Sequence, residues 1–425
     1  MTTVGTNFNY SASEHGADGE RMLGTTDQIK IKIDNARRER TGIHGRIMFF
    51  VNGAHTAFDN INLEKGDQRS RFVRDIVRNL SDAIISIYSE KTITHDIGLL
   101  CQAVINWDME SLKVDYISAT EFAPPIAFPL YPFLREGAGT ILFAPPGTGK
   151  SWVSLIMGVC LSNGLTSPFN ALKRHVIYAN LERPRNTFLV RDFAVRRALG
   201  FPSDRPSGIG YIHARGLTFK SVLWHIEQEG RKHPDSVVIL DSISRTGLGS
   251  LLDDTTANQF TDAMNALGLT WLGVGHTPRG DDKHIFGSVH FTAGCDIETR
   301  LVGSEYGHTL NLLLETVKAN DSKRNFKHAL SLEFGAEEQE GLVNIREIQA
   351  DDPGLVAQST DNVFRIAHAI EAHGGKATPS EIAEETGIAL PNVSKVLTGS
   401  RGKFVFLEEE SRSAGRNKYY GVGHE

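Results

Sequence analysis

The chain has 425 residues, 40% of them apolar and 23% charged, and a formal net charge of -6. That length allows two or three domains with cores of their own, and no apolar run is long enough to span a membrane. An acidic balance excludes nucleic-acid binding through global charge, so such a partner has to be held by local patches.

The first 20 residues lack a basic start followed by an apolar segment, so no secretory signal is expected. Cys101, Cys160 and Cys295 are few, odd in number and far apart. They fit buried thiols of a reducing cytoplasm rather than a metal site.

Residues 1–28 are polar and rich in Gly and Ser, and are expected to form a disordered tail. Residues 29–121 read as a small α+β domain. It opens with a basic cluster, Lys30, Lys32, Arg37, Arg38, Arg40 and Arg46. A strand-like "IHGRIMFFVNG" and helical patterns near 68–79 and 95–109 follow. The proline-rich "FAPPIAFPLYPFL" places a connector over 122–136.

Over 137–350 short apolar runs alternate with helical stretches: "GTILFA", "RHVIYANLE", "IGYIHAR", "DSVVILDS" and "LTWLGVGH". Helices are expected at 150–163, 184–199, 217–229 and 256–267. The pattern is that of an α/β fold with a mainly parallel sheet covered on both faces. "TLNLLLETV" and "HALSLEF" suggest an antiparallel extension.

A polar linker over 351–361 leads to a last module at 362–425. There "TPSEIAEETGIALPNVSKVLTG" gives a helix, a turn at Gly387 and a second helix. "KFVFLEEE" and "RNKYYGV" flank a charged tip. Helix-turn-helix plus hairpin is the pattern of a winged helix.

The chemistry concentrates in "FAPPGTGKSW". Gly149, Lys150 and Ser151 match the end of the phosphate-loop pattern G-x-x-x-x-G-K-[ST], but Ala144 stands where its first glycine belongs. Alanine there is tolerable unless the backbone needs a positive φ. Pro146, Gly147, Thr148, Gly149, Lys150, Ser151 and Trp152 would cradle ATP. Backbone N–H groups and the helix start face the phosphates, Lys150 reaches the β- and γ-phosphates, and Ser151 ligates Mg²⁺.

"VVILDS" ends in Asp241, a Walker B carboxylate for the same ion. Ser242 follows where many ATPases carry a glutamate, so Glu182 in "VIYANLERP" is the candidate base. His276, ending "LTWLGVGH", either senses the γ-phosphate or only hydrogen-bonds at a strand end.

With these residues in order, 137–335 resembles the RecA-fold ATPases of the plasmid RepA-type hexameric helicases, in the RecA and DnaB class. The matching pieces are "APPGTGKS", Leu181–Glu182, "ILDSISR", "GHTPRG" and "GSVHFTAGCD". The resemblance implies ATP hydrolysis at the interfaces of a ring-shaped homo-oligomer. The neighbour would supply Lys318 and Arg324, because no arginine of the same core stands at an obvious loop end. It also implies single-stranded DNA at the loops carrying Arg245, Arg279, Lys283 and His284.

On the winged helix, Asn392, Ser394 and Lys395 would face a duplex groove, with Arg412, Arg416 and Lys418 on phosphates. From Asp361 onward, however, eight Lys and Arg face nine Asp and Glu, net -1. Protein docking therefore stays open beside DNA binding. The implied function is an ATP-driven motor or remodeller of plasmid or phage replication. A recombinase or mediator filament and an ATP-switched regulator are the alternatives.

Overall fold

The computed structural model describes all residues except 1–7, 14–15, 24–26, 40, 115–124, 203, 205, 282, 337–340, 351–352, 360, 401–402, 413–414 and 424–425. The chain divides into two units at Pro124 and Pro125. Among the described residues no helix is long and apolar enough to cross a membrane.

The first unit is a five-stranded antiparallel meander: β1 (Asn9–Ser13), β2 (Gly16–Leu23), β3 (Asp27–Glu39), β4 (Gly42–Val51) and β5 (Ala54–Asn62). Helices α1 (Gly66–Asn79), α2 (Asp82–Ile87) and α3 (Glu90–Ser111) follow. Alternate residues Ile29, Ile31 and Ile33 of β3 are buried with Phe72, Ile76, Ile97 and Leu100 of α1 and α3, the period-2 and period-3.6 signals of an amphipathic sheet and its covering helices.

Asp96 is fully buried beneath them. It is satisfied by two 2.7 Å bonds from Arg21 and one of 2.7 Å from the Tyr88 hydroxyl.

Two expectations change here. Residues 9–13 and 16–23 are strands, not a tail. β2 buries Ala17 and Leu23 against β3, and β1 pairs along its edge, where backbone bonding asks for few apolar side chains. The basic cluster is largely neutralised: Arg37 meets Glu39, Arg38 meets Asp108 and Arg46 meets Asp34.

The second unit is built on a nine-stranded sheet. In chain order come β6 (Gly139–Ala144), α4 (Lys150–Asn163), β7 (Val176–Asn180), α5 (Arg185–Ala198), β8 (Ile209–His213), α6 (Phe219–Lys232) and β9 (Val237–Asp241). Then follow α7 (Asp254–Asn265), β10 (Thr270–His276), α8 (His290–Gly294), β11 (Ile297–Tyr306), β12 (Thr309–Ala319), β13 (Lys327–Phe334), β14 (Leu342–Ile348) and α9 (Pro353–Gln358).

The spatial order is β14-β13-β12-β11-β6-β10-β9-β7-β8. From β11 to β8 the neighbours are parallel; β12, β13 and β14 extend the sheet antiparallel. β6 is buried along its whole length. Leu142 and Ala144 point to the layer that holds Val153, Ile156 and Val195 of α4 and α5. Ile141 and Phe143 point to that of Val222, Ile226 and Phe260 of α6 and α7. A continuous apolar run is what a strand covered on both faces requires.

The expected connector belongs to this core: Leu130, Phe133 and Leu134 are buried with Phe169. Prolines mark it as irregular backbone, but its apolar side chains have a core to enter. The expected linker is also ordered in part. α9 buries Leu355 against Val302, Leu313 and Ala329.

Three further helices, α10 (Asn362–Ala372), α11 (Pro379–Thr386) and α12 (Leu390–Gly399), precede the antiparallel hairpin β15 (Phe404–Arg412) and β16 (Gly415–Val422). α11 opens with a capping box formed by Thr378 and Glu381, and ends at Gly387 with φ 67°. Ile366, Ile370, Ile382, Val393 and Leu397 give this module its own core.

Candidate ATPase site

Adjacent parallel strands bring the functional side chains to one edge of the sheet, the usual place for a ligand in an open α/β fold. β10 lies between β6 and β9, with Val274 opposite Asp241 and His276 opposite Ala144. Asn180 at the end of β7 is opposite Asp241, and the pairing runs one step further through the Leu181 N–H to the Asp241 carbonyl, 2.8 Å. Glu182 is thereby delivered beside Asp241.

Ala144 is the last residue of β6, fully buried and in extended strand pairing. The position therefore needs no glycine. Positive φ appears later, at Gly147 (85°) and Gly149 (102°), where the loop turns into α4. Thr148 donates to the Pro145 carbonyl at 2.9 Å, fastening the loop from inside.

The Lys150 ammonium donates to the carbonyls of Ala144 (2.8 Å) and Pro145 (2.7 Å). Burial pulls its pKa down to about 8, against the opposing pull of Asp241 and Glu182.

Asp241 is buried, and burial raises its pKa, opposed by the hydroxyls of Ser151 and Tyr178. Its Oδ2 accepts from the Tyr178 hydroxyl at 3.0 Å, which in turn meets Ser154 at 3.0 Å. Its Oδ1 is buried and accepts no hydrogen bond. A free carboxylate oxygen of a fixed acid, next to a hydroxyl at a helix start, fits a hard divalent cation carried in with nucleotide. Ser151 and Asp241 are the residues that would hold Mg²⁺, which when bound offsets charge on the β- and γ-phosphates.

Asn180 organises the turn that carries Glu182, the candidate base. Its Oδ1 accepts from the N–H groups of Glu182 (3.2 Å) and Arg183 (2.9 Å), while its Nδ2 donates to the Arg183 carbonyl at 3.0 Å. Glu182 stands in this turn before α5, outside any helix, and is half-buried. Burial and the Lys150 charge push the His276 pKa below the usual imidazole range, so the ring is neutral at neutral pH; its Nδ1 is buried and unpartnered.

Pro146, Gly147, Gly149, Lys150, Ser151 and Trp152 thus line one cleft with Glu182, Asp241 and His276. The same cleft holds two cations that sequence reading passed over, Arg183 and Arg191. Arg191 lies over the Trp152 ring, 4.8 Å from its centroid, and burial and Arg183 lower its pKa. The expectation that no arginine of the same core stands at an obvious loop end is therefore corrected by Arg183, in the turn after β7. Arg191 was legible, being three residues after buried Phe188 and four before buried Val195 on α5.

The other candidates lie elsewhere. Arg245 is exposed in a short 3-10 turn after β9, and Arg279, Lys283 and His284 are exposed in the segment after His276. Lys318 donates to the carbonyls of Thr292 (2.6 Å) and Cys295, so its ammonium is engaged within its own subunit. Arg324 is exposed in the β12–β13 turn, its Nε 3.5 Å from the Ala319 carbonyl. Asn392, Ser394 and Lys395 on α12 and Lys418 on β16 are exposed, while the side chains of Arg412 and Arg416 lie outside the described residues. All three cysteines are free and buried, with pKa values pushed up to about 12 by burial.

Residues 112–282 match the family model described as an AAA domain. Together with the phosphate loop and the strand order, that match fits an α/β P-loop ATPase core. Among solved structures, the chain is similar to a KaiC-like protein from the hyperthermophilic archaeon Pyrococcus horikoshii OT3. Identity is 13%, over 52% of this chain and 94% of that one, with a TM-score of 0.37. No curated protein matches the chain.

Proposed function

We propose that the chain is a DNA-associated motor or remodeller that works as a ring of identical subunits, as the resemblance to RepA-type helicases implies. The observation that carries this reading is the position of His276. The ring lines the nucleotide cleft, and the backbone directly beyond it forms the segment exposing Arg279, Lys283 and His284. The Phe286 N–H returns to the His276 carbonyl at 2.7 Å, closing that segment into a loop anchored at the cleft. A change at the γ-phosphate sensed by His276 would thus reach a loop whose first cation, Arg279, is three residues on, and whose cations suit the backbone of a single strand.

Residues 362–422 are read as a winged helix whose exposed α12 face and Lys418 meet duplex DNA. Coupling is reciprocal: if ATP alters DNA affinity, DNA alters ATP affinity by the same factor. Fluorescence anisotropy of a labelled single strand, with and without a non-hydrolysable ATP analogue, tests the link. Affinity should differ between the two states and fall in the Arg279→Ala/Lys283→Ala variant. Equal affinity in both nucleotide states, or full affinity in the variant, contradicts the coupling.

A further inference from the structure

At the end of the sheet away from the nucleotide cleft, a second set of chemistry-bearing side chains converges. His175 immediately precedes β7, while Glu229 lies in the last turn of α6 and His233 just beyond it. The five residues of β7 put this end about 17 Å from the edge that carries Glu182 and Asp241. Glu229 and His233 are four residues apart, so they share one face of the helix end.

One ligand atom from each of the three residues lies within 4.8 Å of the other two. His175 Nε2 is 3.4 Å, and His233 Nε2 3.8 Å, from the same oxygen, Glu229 Oε1. The two rings are stacked, with centroids 3.9 Å apart and planes 21° apart. Ligands about 2.1 Å from a tetrahedral ion stand about 3.4 Å from one another, so these separations suit three donors aimed at one point. A plain hydrogen-bond network would align the imidazole nitrogens with their partners, yet His175 Nε2 is buried and, although 3.4 Å from Glu229 Oε1, makes no well-aligned hydrogen bond.

Lys232 donates a hydrogen bond to the Glu229 carboxylate. That bond goes to Oε2 at 2.8 Å and leaves Oε1 for the imidazole side. Neutral imidazole and ionised carboxylate are the forms that bind metal, and the carbonyl end of α6 adds negative potential. His175 also borders a solvent-open cleft shared with Asn163, Lys173 and Asp235, which gives water access to the site.

We propose that His175, Glu229 and His233 bind one divalent transition ion of the zinc class, with water completing a four-coordinate shell, and that the ion ties the end of α6 to the start of β7. Two imidazoles and a carboxylate select a borderline cation over Mg²⁺ or Ca²⁺, which prefer oxygen donors alone. The tie also reaches β9, because the Val237 N–H donates to the His175 carbonyl at 2.8 Å.

The test uses the full chain, stripped with chelator and then dialysed against stoichiometric Zn²⁺ in saturating Mg–ATP to occupy the phosphate site. Metal content per chain and thermal unfolding are read together. Wild type should retain one zinc and unfold at a higher temperature with it than without it, as binding to the folded state requires. His233→Ala and Glu229→Gln should lose both the metal and the shift. Each changes a partly exposed side chain, and circular dichroism checks that both fold. Lys150→Ala should keep the zinc. Wild type without zinc, or either variant holding as much as wild type with the same thermal shift, overturns the site.

Discussion

Lys150 is 6% exposed, its ammonium rests on two carbonyls of its own loop, and its pKa in the free protein is about 8. A triphosphate favours the charged form, so binding above about pH 8 has to take up a proton. Nucleotide affinity should hold below that pH and fall as pH rises from about 8 to about 10, the range between the depressed and the ordinary lysine pKa. Calorimetry in buffers of different ionisation heat should show the uptake; affinity flat across that window contradicts it. For the free protein the sign is opposite. The unfolded chain holds the extra proton over this range, so stability rises with pH.

Glu182→Gln keeps the size of the side chain and removes the base. Turnover should drop about 10²–10⁴-fold with nucleotide binding intact, and hydrolysis near the wild-type rate would remove Glu182 from the chemistry. At this scale the convergence of the loop, Asp241 and Glu182 on one cleft was legible in the sequence because each lies at or just beyond the end of an apolar strand. Arg183 was not, because its place depends on the turn that Asn180 builds after β7. Arg191 could have been read from its spacing on α5.

Elements followed the apolar periodicity wherever burial was two-sided. α4 occupies the expected 150–163, and the strands ending in Ala144, Asp241 and His276 are fully or nearly buried. β11 was missed because Glu298 and Arg300 interrupt its run. Both are buried, Glu298 accepting from Thr292 and Arg300 pairing with Glu315 at 3.2 Å, and such partners cannot be seen along the chain. β1 was missed for the opposite reason, since it is the sheet edge, held by backbone bonds to β2 that composition does not record.

The C-terminal module also holds a contact that patterning could not give. Lys327 on β13 pairs with Asp361 at 2.7 Å and lies 4.4 Å from the centre of the Phe364 ring. A chain ending before Asp361 should keep the core folded, because the module's apolar cluster is its own. The loss of that pair should cost about 1–3 kcal/mol, and duplex binding should fall. Collapse of the core, or undiminished duplex binding, tells against a separable DNA-binding module.

For the molecule as a whole, Arg183 and Arg191 already supply positive charge within the subunit, so a neighbour's cation adds to the cleft rather than completing an uncharged one. In the proposed ring Arg324, exposed on the β12–β13 turn, would be the residue offered to a neighbour, since Lys318 is engaged within its own subunit. Arginine supplied in trans contributes about 10³–10⁵ in rate where it acts. Arg324→Ala should therefore lower turnover with little change in nucleotide affinity. Mixing it with Glu182→Gln should restore part of the activity at interfaces where an intact Glu182 faces an intact Arg324. A monomer whose specific activity is independent of concentration contradicts the ring.

The claim that joins these scales is that hydrolysis at the Lys150–Glu182–Asp241 cleft is coupled to a DNA strand held beyond His276. Steady-state ATP turnover by the full chain, with and without a single-stranded oligonucleotide, addresses it most directly. The expected result is hydrolysis that rises severalfold with the strand and disappears, with and without DNA, in Glu182→Gln. Turnover identical in the presence and absence of the strand would contradict it.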